Sequence, residues 1–269
     1  MTSTIATRPT SAATQRNVAR GEWIKFRSVR STTVTLISAA LVTVIFGAIF
    51  AVSAGNDGGV SGPPGMALSN PLSISLGAIN LSQLIVGILG VLITAGEYST
   101  GLIRSTFAAV GSRLAVLRAK SIVIAGSVFV VMGVGTTLAV AVGQMLYAGD
   151  QATVSLTDPD TLRVVLGATL YLTGVALMGV ALGFIVRSTS SAIGILVAAL
   201  FIGPTLLGLL PDSVTDTVLR YLPSKAGESM MALTPTSDLL PTGTASVVFA
   251  AWVVGMLSIA ALLVRRRDA

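Results

Sequence analysis

Apolar runs long enough to cross a bilayer alternate with short polar segments along the whole chain. The runs fall at about residues 34–54, 72–96, 121–148, 164–186, 192–210 and 245–264. A helix rises about 1.5 Å per residue, so a run of about 20 residues matches a hydrocarbon core of roughly 30 Å. The pattern predicts an all-α integral membrane protein with six transmembrane helices. By this division no Asp, Glu, Lys or Arg falls inside a span. Pro204 is expected to kink the fifth span, because proline removes a backbone donor and crowds the preceding turn.

Between the second and third runs lies a charged island, residues 97–120. Ile103, Phe107, Val110, Leu114 and Leu117 recur there at steps of four and three, and Arg104, Arg113 and Arg118 fall outside that stripe. The spacing predicts one amphipathic helix, read here as a cytoplasmic element that receives a partner. Residues 16–33 form a second polar stretch. Arg16, Arg20, Lys25, Arg27 and Arg30 face a single acid, Glu22, with Val18, Trp23, Ile24, Phe26 and Val29 among them. A basic helix lying in the membrane interface is expected, with its tryptophan at headgroup level. Residues 1–15 are rich in Ser, Thr and Ala and read as a disordered tail; residues 265–269 read as a basic tail. Residues 211–244, with four prolines, are expected to carry a short re-entrant helix on the outer side.

Composition narrows the chemistry. The chain is 53% hydrophobic and 10% charged, with no cysteine and no histidine. Disulfides, thiol catalysis and His- or Cys-ligated metals are excluded, and the commonest general base is missing. No phosphate-cradling G-x-x-x-x-G-K-[ST] motif occurs, so any ATP and Mg must be bound by another chain. The sequence therefore predicts no enzyme, and no cofactor or metal of its own. The net charge of +6 does not imply nucleic acid, because of where the charge lies. With the N-terminus inside, the inner segments hold 14 of the 17 Lys and Arg and 3 of the 11 acids. That asymmetry follows the positive-inside rule and predicts cytoplasmic N- and C-termini.

Four polar residues within the apolar runs are candidates for a substrate path: Asn80, Gln83, Gln144 and Tyr171. The competing reading is hydrogen bonding between helices, typically about 0.6 kcal/mol each in a membrane.

Three segments resemble the permease subunits of ABC-2 type transporters. Gly21-Glu22-Trp23-Ile24-Lys25-Phe26-Arg27-Ser28-Val29-Arg30-Ser31 is similar to their basic interfacial entry helix. Gly96-Glu97-Tyr98-Ser99-Thr100-Gly101-Leu102-Ile103-Arg104 is similar to their acidic–aromatic–glycine segment after span two, although many relatives place Gly-Thr where this chain has Thr100-Gly101. Arg220-Tyr221-Leu222-Pro223-Ser224-Lys225-Ala226-Gly227 sits where the family has short re-entrant helices. The resemblance implies a permease homodimer or pseudo-symmetric heterodimer, a separate ABC ATPase subunit, and export across a bacterial inner (plasma) membrane. The apolar interior suits lipid-like or amphipathic drug or antibiotic substrates. It further implies an ATPase-coupling segment at Glu97, Tyr98, Thr100, Gly101, Ile103, Arg104, Phe107 and Leu114. In that segment Glu97 pairs with Arg104 or a neighbouring basic residue, and the Thr100 hydroxyl caps the helix. Two other readings remain: a non-transporting anchor that recruits a cytoplasmic partner through 97–120, and an ion-coupled carrier acting alone.

Overall fold

The helix at the centre is the fourth apolar one. In the computed structural model, which describes residues 15–57, 71–146, 157–209, 218–233 and 239–266, α7 (Pro159–Val186) buries 78% of its most apolar stretch. α2 (Arg30–Asp57) and α11 (Thr242–Arg266) bury 28% and 22% of theirs. A helix apolar all round can be covered on every side, and α7 is the one that is. Among the described residues there is no strand, and six helices are long and apolar enough to cross a membrane.

The elements follow in order: α1 (Gln15–Ser28), α2, α3 (Pro71–Ser75), α4 (Ile79–Ser99), α5 (Leu102–Val110), α6 (Arg113–Leu146), α7, α8 (Thr189–Val197), α9 (Gly203–Leu207), α10 (Pro223–Met231) and α11. α4 packs on α7, α2 on α6, and α6 and α11 on α7. α4 and α7 run parallel, because Gln83 meets Tyr171, Gly87 meets Val175, and Thr94 meets Gly183. α2 and α6 also run parallel, with Gly135 against Ala40 and Gly47 near Ala139. Helices of like direction two spans apart are what alternating crossings require.

Small residues set these contacts. A Cβ on Gly90 would stand 2.2 Å from the Ala176 carbonyl oxygen, and one on Gly179 would stand 2.2 Å from that of Gly87. Only glycine lets two backbones approach so closely, and such packing drives helix association where lipid gives apolar surfaces no other reason to meet. In the fifth span, a π-helical turn at Ala198–Ile202 leads directly into Gly203 and Pro204. Proline cannot donate to the carbonyl one turn earlier, and a wider turn accommodates the missing bond.

The far end of the bundle is closed by α10. Its Gly227 lies against the Tyr171 ring, and Gly167 of α7 lies against the Met230 carbonyl. Arg163, one residue before the fourth apolar run, sits in the first turns of α7. It donates to Thr242 Oγ1 (3.1 Å) and to the carbonyls of Ala232 and Leu233 (3.1 and 3.2 Å), tying together the ends of three helices. α5 stands at the opposite end. Introduced cysteines can test that separation, since the native chain has none. Ser224 is a poor reporter, as its hydroxyl is buried; Tyr221 is 48% exposed in the same segment. In intact cells a membrane-impermeant maleimide is expected to label Tyr221→Cys and spare Ser112→Cys. The reverse pattern would invert the topology.

Four boundaries differ from the sequence reading. The island is two helices rather than one, because Gly111 adopts φ +72 and ends α5. Ser112 then starts α6 by accepting a hydrogen bond from the Ala115 amide (3.4 Å). Leu114 and Leu117 therefore belong to the third span. The spans are also longer than their apolar runs. α4 includes Glu97 and α6 includes Arg113, Arg118 and Lys120, so these charges sit on the long helices just outside their charge-free runs. The N-terminal basic stretch breaks at Val29, where α1 ends and α2 begins. The basic tail is absorbed into α11 as far as Arg266. The tail expected at 1–15 lies outside the described residues except for Gln15.

Candidate functional site

Among the described residues, Lys120 is one of the largest side chains to be almost wholly buried, at 1% exposure. It lies about two turns into α6. Its ammonium donates to Glu22 Oε2 of α1 (2.8 Å), to Glu97 Oε1 of α4 (3.0 Å) and to the Ile93 carbonyl (3.5 Å). An ammonium has three donors, and all three have acceptors. Lys25 of α1 completes the group. It donates to Glu97 Oε1 (2.7 Å), Glu22 Oε1 (3.3 Å) and Thr106 Oγ1 of α5 (3.4 Å). Two carboxylates and two ammonium groups thus join four helices, with no net charge.

The local sequence explains the arrangement. Val18, Glu22 and Phe26 fall at steps of four, on the one face of α1 that meets the bundle. Val18 packs with Val116 and Ala119 of α6. This seat carries Glu22 over Lys120, one residue beyond Ala119. Trp23, Ile24 and Val29 remain exposed, so the outward side of α1 is apolar as well as basic. A buried ion pair is worth having only when each charge is compensated and hydrogen-bonded. Three of the four carboxylate oxygens here meet that condition. The fourth, Glu97 Oε2, is buried without a partner, and a deficit of this kind costs about 1–3 kcal/mol or more.

Burial works against the charge on Lys25. The hydrogen bond to Glu97 and the charges of Glu22 and Glu97 outweigh it and hold the ammonium above its ordinary pKa of 10.5. Because the folded value is raised, the stabilisation Lys25 gives is full below pH 10.5 and is lost as the pH climbs through the raised value.

Beside this group is an open cavity of about 390 Å³, lined by α1, α2, α4, Leu102 of α5 and α6. The charged side chains Glu22, Lys25, Glu97 and Lys120 line one part; Leu92, Val123 and Ile124 are among the apolar residues lining the rest. The volume is within the range of small-molecule sites, roughly 300–1,000 Å³.

The coupling segment divides into two faces. Ile103 is buried, and Phe107 packs on the core and on the Val18 cluster. With Val110 and Leu114 half-buried and Leu117 buried, the apolar stripe is turned toward this chain's own helices. The exposed side of α5 is Leu102, Arg104, Ser105, Ala108 and Ala109. Glu97 pairs with Lys25 and Lys120 rather than with Arg104, which is exposed; the two lysines reach it because α1 and α6 flank α4's last turns. Thr100 does not cap α5. Its hydroxyl donates back to the Gly96 carbonyl (2.9 Å), and the cap position is Gly101 at φ +74. That left-handed conformation suits glycine and reverses the chain between α4 and α5. Tyr98 is half-buried, edge-on to Phe184, with the Arg187 guanidinium 5.2 Å from its ring centre.

Three of the four substrate-path candidates come together. The Tyr171 hydroxyl donates to Gln83 Oε1, and Gln83 Nε2 donates to Asn80 Oδ1 (3.0 Å). Gln83 and Tyr171 are almost fully buried, so this chain of bonds binds α4 to α7. Gln144 is half-buried near the end of α6. Sequence reasoning missed Glu22, Lys25 and Lys120 as site residues. Their signal was the placement of Glu22 in step with Val18 and Phe26.

No protein-family model matches the sequence, and no curated protein matches it. The functional reading rests on the residues and their arrangement.

Proposed function

We propose that this chain is the membrane-spanning subunit of an ATP-driven transporter of the ABC-2 type. It would export lipid-like or amphipathic compounds across a bacterial inner membrane, as a pair of permeases served by a separate ATPase that binds ATP and Mg. The observation that carries the reading is α5. It is a nine-residue helix between two spans, bounded by Gly101 and Gly111, both left-handed. Its apolar face is seated on this chain's own helices, and its other face is open to a partner.

A rigid helix on two glycine turns can move as a body. Its seat joins it to α1, α4 and α6 through Ile103, Phe107 and the Lys25–Thr106 hydrogen bond. Closure of an ATPase dimer against the open face would press on α5, and the charge group would carry that displacement into two spans at once. α4 in turn is fastened to central α7. The supports are thus a handle, a rigid mount and a path inward.

The test is recovery of the tagged chain from native membranes, with partners identified and assayed for ATP hydrolysis. A P-loop ATPase is expected, and Ala108→Glu with Ala109→Glu on the open face should lower its recovery about tenfold or more while the protein still inserts. Polar substitutions at Ile103 would instead unseat α5. Recovery of no ATPase, under conditions that preserve such complexes, would overturn the reading in favour of a membrane anchor.

A further inference from the structure

We infer that the outward face of α1 is a binding surface for anionic phospholipid headgroups, in the leaflet at that end of the bundle. The inference does not depend on transport or on an ATPase.

α1 divides its charges between two sides. Glu22 and Lys25 turn inward and are compensated within the charge group, Glu22 by Lys120 and Lys25 by Glu97. Arg16, Arg20, Trp23 and Arg27 recur at steps of four, three and four, which places them on one stripe opposite Val18, Glu22 and Phe26. All four are exposed, as are Ile24 beside them and Arg30 just past the break at Val29. The sequence shows five basic residues and one acid in this stretch; the fold takes the acid off the surface. At this end of the bundle the acids among the described residues are Glu22 and Glu97, and both are buried. The outward guanidinium groups therefore have no carboxylate beside them among the described residues, and their N–H donors lie at the surface.

Apolar groups say what covers that surface. Trp23 (43% exposed), Ile24 (59%) and Val29 lie between the arginines, and α2 continues with exposed Val34, Ile37 and Leu41. The stripe thus runs on into the outer surface of a span. Water would leave the apolar groups uncovered, and an acidic protein groove would have to end where the span begins. The edge of a leaflet supplies both kinds of contact, hydrocarbon for the ring and the aliphatic groups and phosphate for the guanidinium groups, which take phosphate oxygens two at a time. The choice of headgroup follows from the missing acid. The ammonium or choline of a zwitterionic lipid finds no exposed carboxylate here, whereas a lipid of net negative charge meets only cations.

The experiment uses the full chain in vesicles of equal phosphatidylcholine and phosphatidylglycerol, with bromine on the acyl chains of one lipid at a time. Bromine quenches a nearby tryptophan, and this chain has only two. Trp252→Phe leaves Trp23 as the reporter. Brominated phosphatidylglycerol is expected to quench it more than brominated phosphatidylcholine, by a local enrichment of about fivefold or more, the factor one basic side chain gives near an anionic surface. Trp252, exposed on α11 and bonded to the Tyr221 carbonyl, is read in Trp23→Phe and should show no such preference. Replacing Arg16, Arg20 and Arg27 together with glutamine, at exposed positions that leave the inward charge group intact, should remove the enrichment at Trp23. Raising the salt from about 0.1 to 1 M, which shortens the screening length from roughly 10 to 3 Å, should weaken it with no substitution on the stripe. Equal quenching of Trp23 by the two lipids, quenching by neither, a preference that Trp252 shares, or one that survives the triple substitution would each overturn the site.

Discussion

Lys120→Met is expected to destabilise the protein by about 3–5 kcal/mol, the usual result of removing one partner from a buried ion pair. Methionine nearly matches the lysine stem in length, so the loss measures charge rather than volume. Glu22 and Glu97 would then be two carboxylates sharing a single partly exposed cation, Lys25. Glu22 is 7% exposed and Glu97 8%, and solvent would do little to screen their repulsion. α1 has few other ties, chiefly Val18 on α6 and Phe26 in the core, so it should detach first. The measurement is the thermal unfolding midpoint in detergent, with protease sensitivity of α1 beside it. Adding Glu22→Gln to Lys120→Met should recover part of the loss, because the surplus carboxylate disappears. If the double variant is no more stable than the single one, the group is not an electrostatic unit. A midpoint unmoved by Lys120→Met would refute the burial of its charge.

The same residue shows what could and could not be read from sequence. The six spans were legible because an uninterrupted apolar run has only one stable form in a bilayer, a helix. Their ends were not. Lys120 and Glu97 lie outside the apolar runs, yet they extend helices, because each is compensated by a residue far away in sequence. Pairings across 98 and 23 positions leave no periodic trace. The island failed for a different reason. Its apolar steps run on through Gly111 and Ser112 without a change of rhythm, so periodicity alone favoured one helix. The stop and start were nevertheless written locally, as glycine followed by serine. Weighing that pair above the rhythm would have divided α5 from α6 and assigned Leu114 to the span. The direction of the apolar stripe was beyond periodicity altogether. A stripe says that a face is covered; it does not say whether the cover is a partner or the chain itself.

Gly179→Ala is the second change expected to have a large effect, and its sign is informative. In an ordinary helix interior alanine is better than glycine by about 1 kcal/mol. At Gly179 the added Cβ would lie 2.2 Å from the Gly87 carbonyl oxygen and 3.1 Å from the Val91 amide nitrogen. Both obstacles are backbone, so no rotamer change relieves them and α7 must move off α4. Overpacking typically costs about 1–3 kcal/mol, and here the shift would reach the neighbouring contact at Gly90, where the clearance to Ala176 is equally small. It would also stretch the buried Tyr171–Gln83 hydrogen bond, which crosses the same interface. A net loss of stability is therefore expected despite the better helix former. Gly126→Ala supplies the comparison. It lies inside α6 with nothing within 4 Å of a new Cβ, so there the propensity gain should stand alone and the midpoint should hold or rise. Opposite signs for the two substitutions would establish that α4 and α7 are held by backbone contact. Equal gains would show the two helices to be farther apart, and the path from α5 through α4 to the centre of the bundle would lose its stiffest joint.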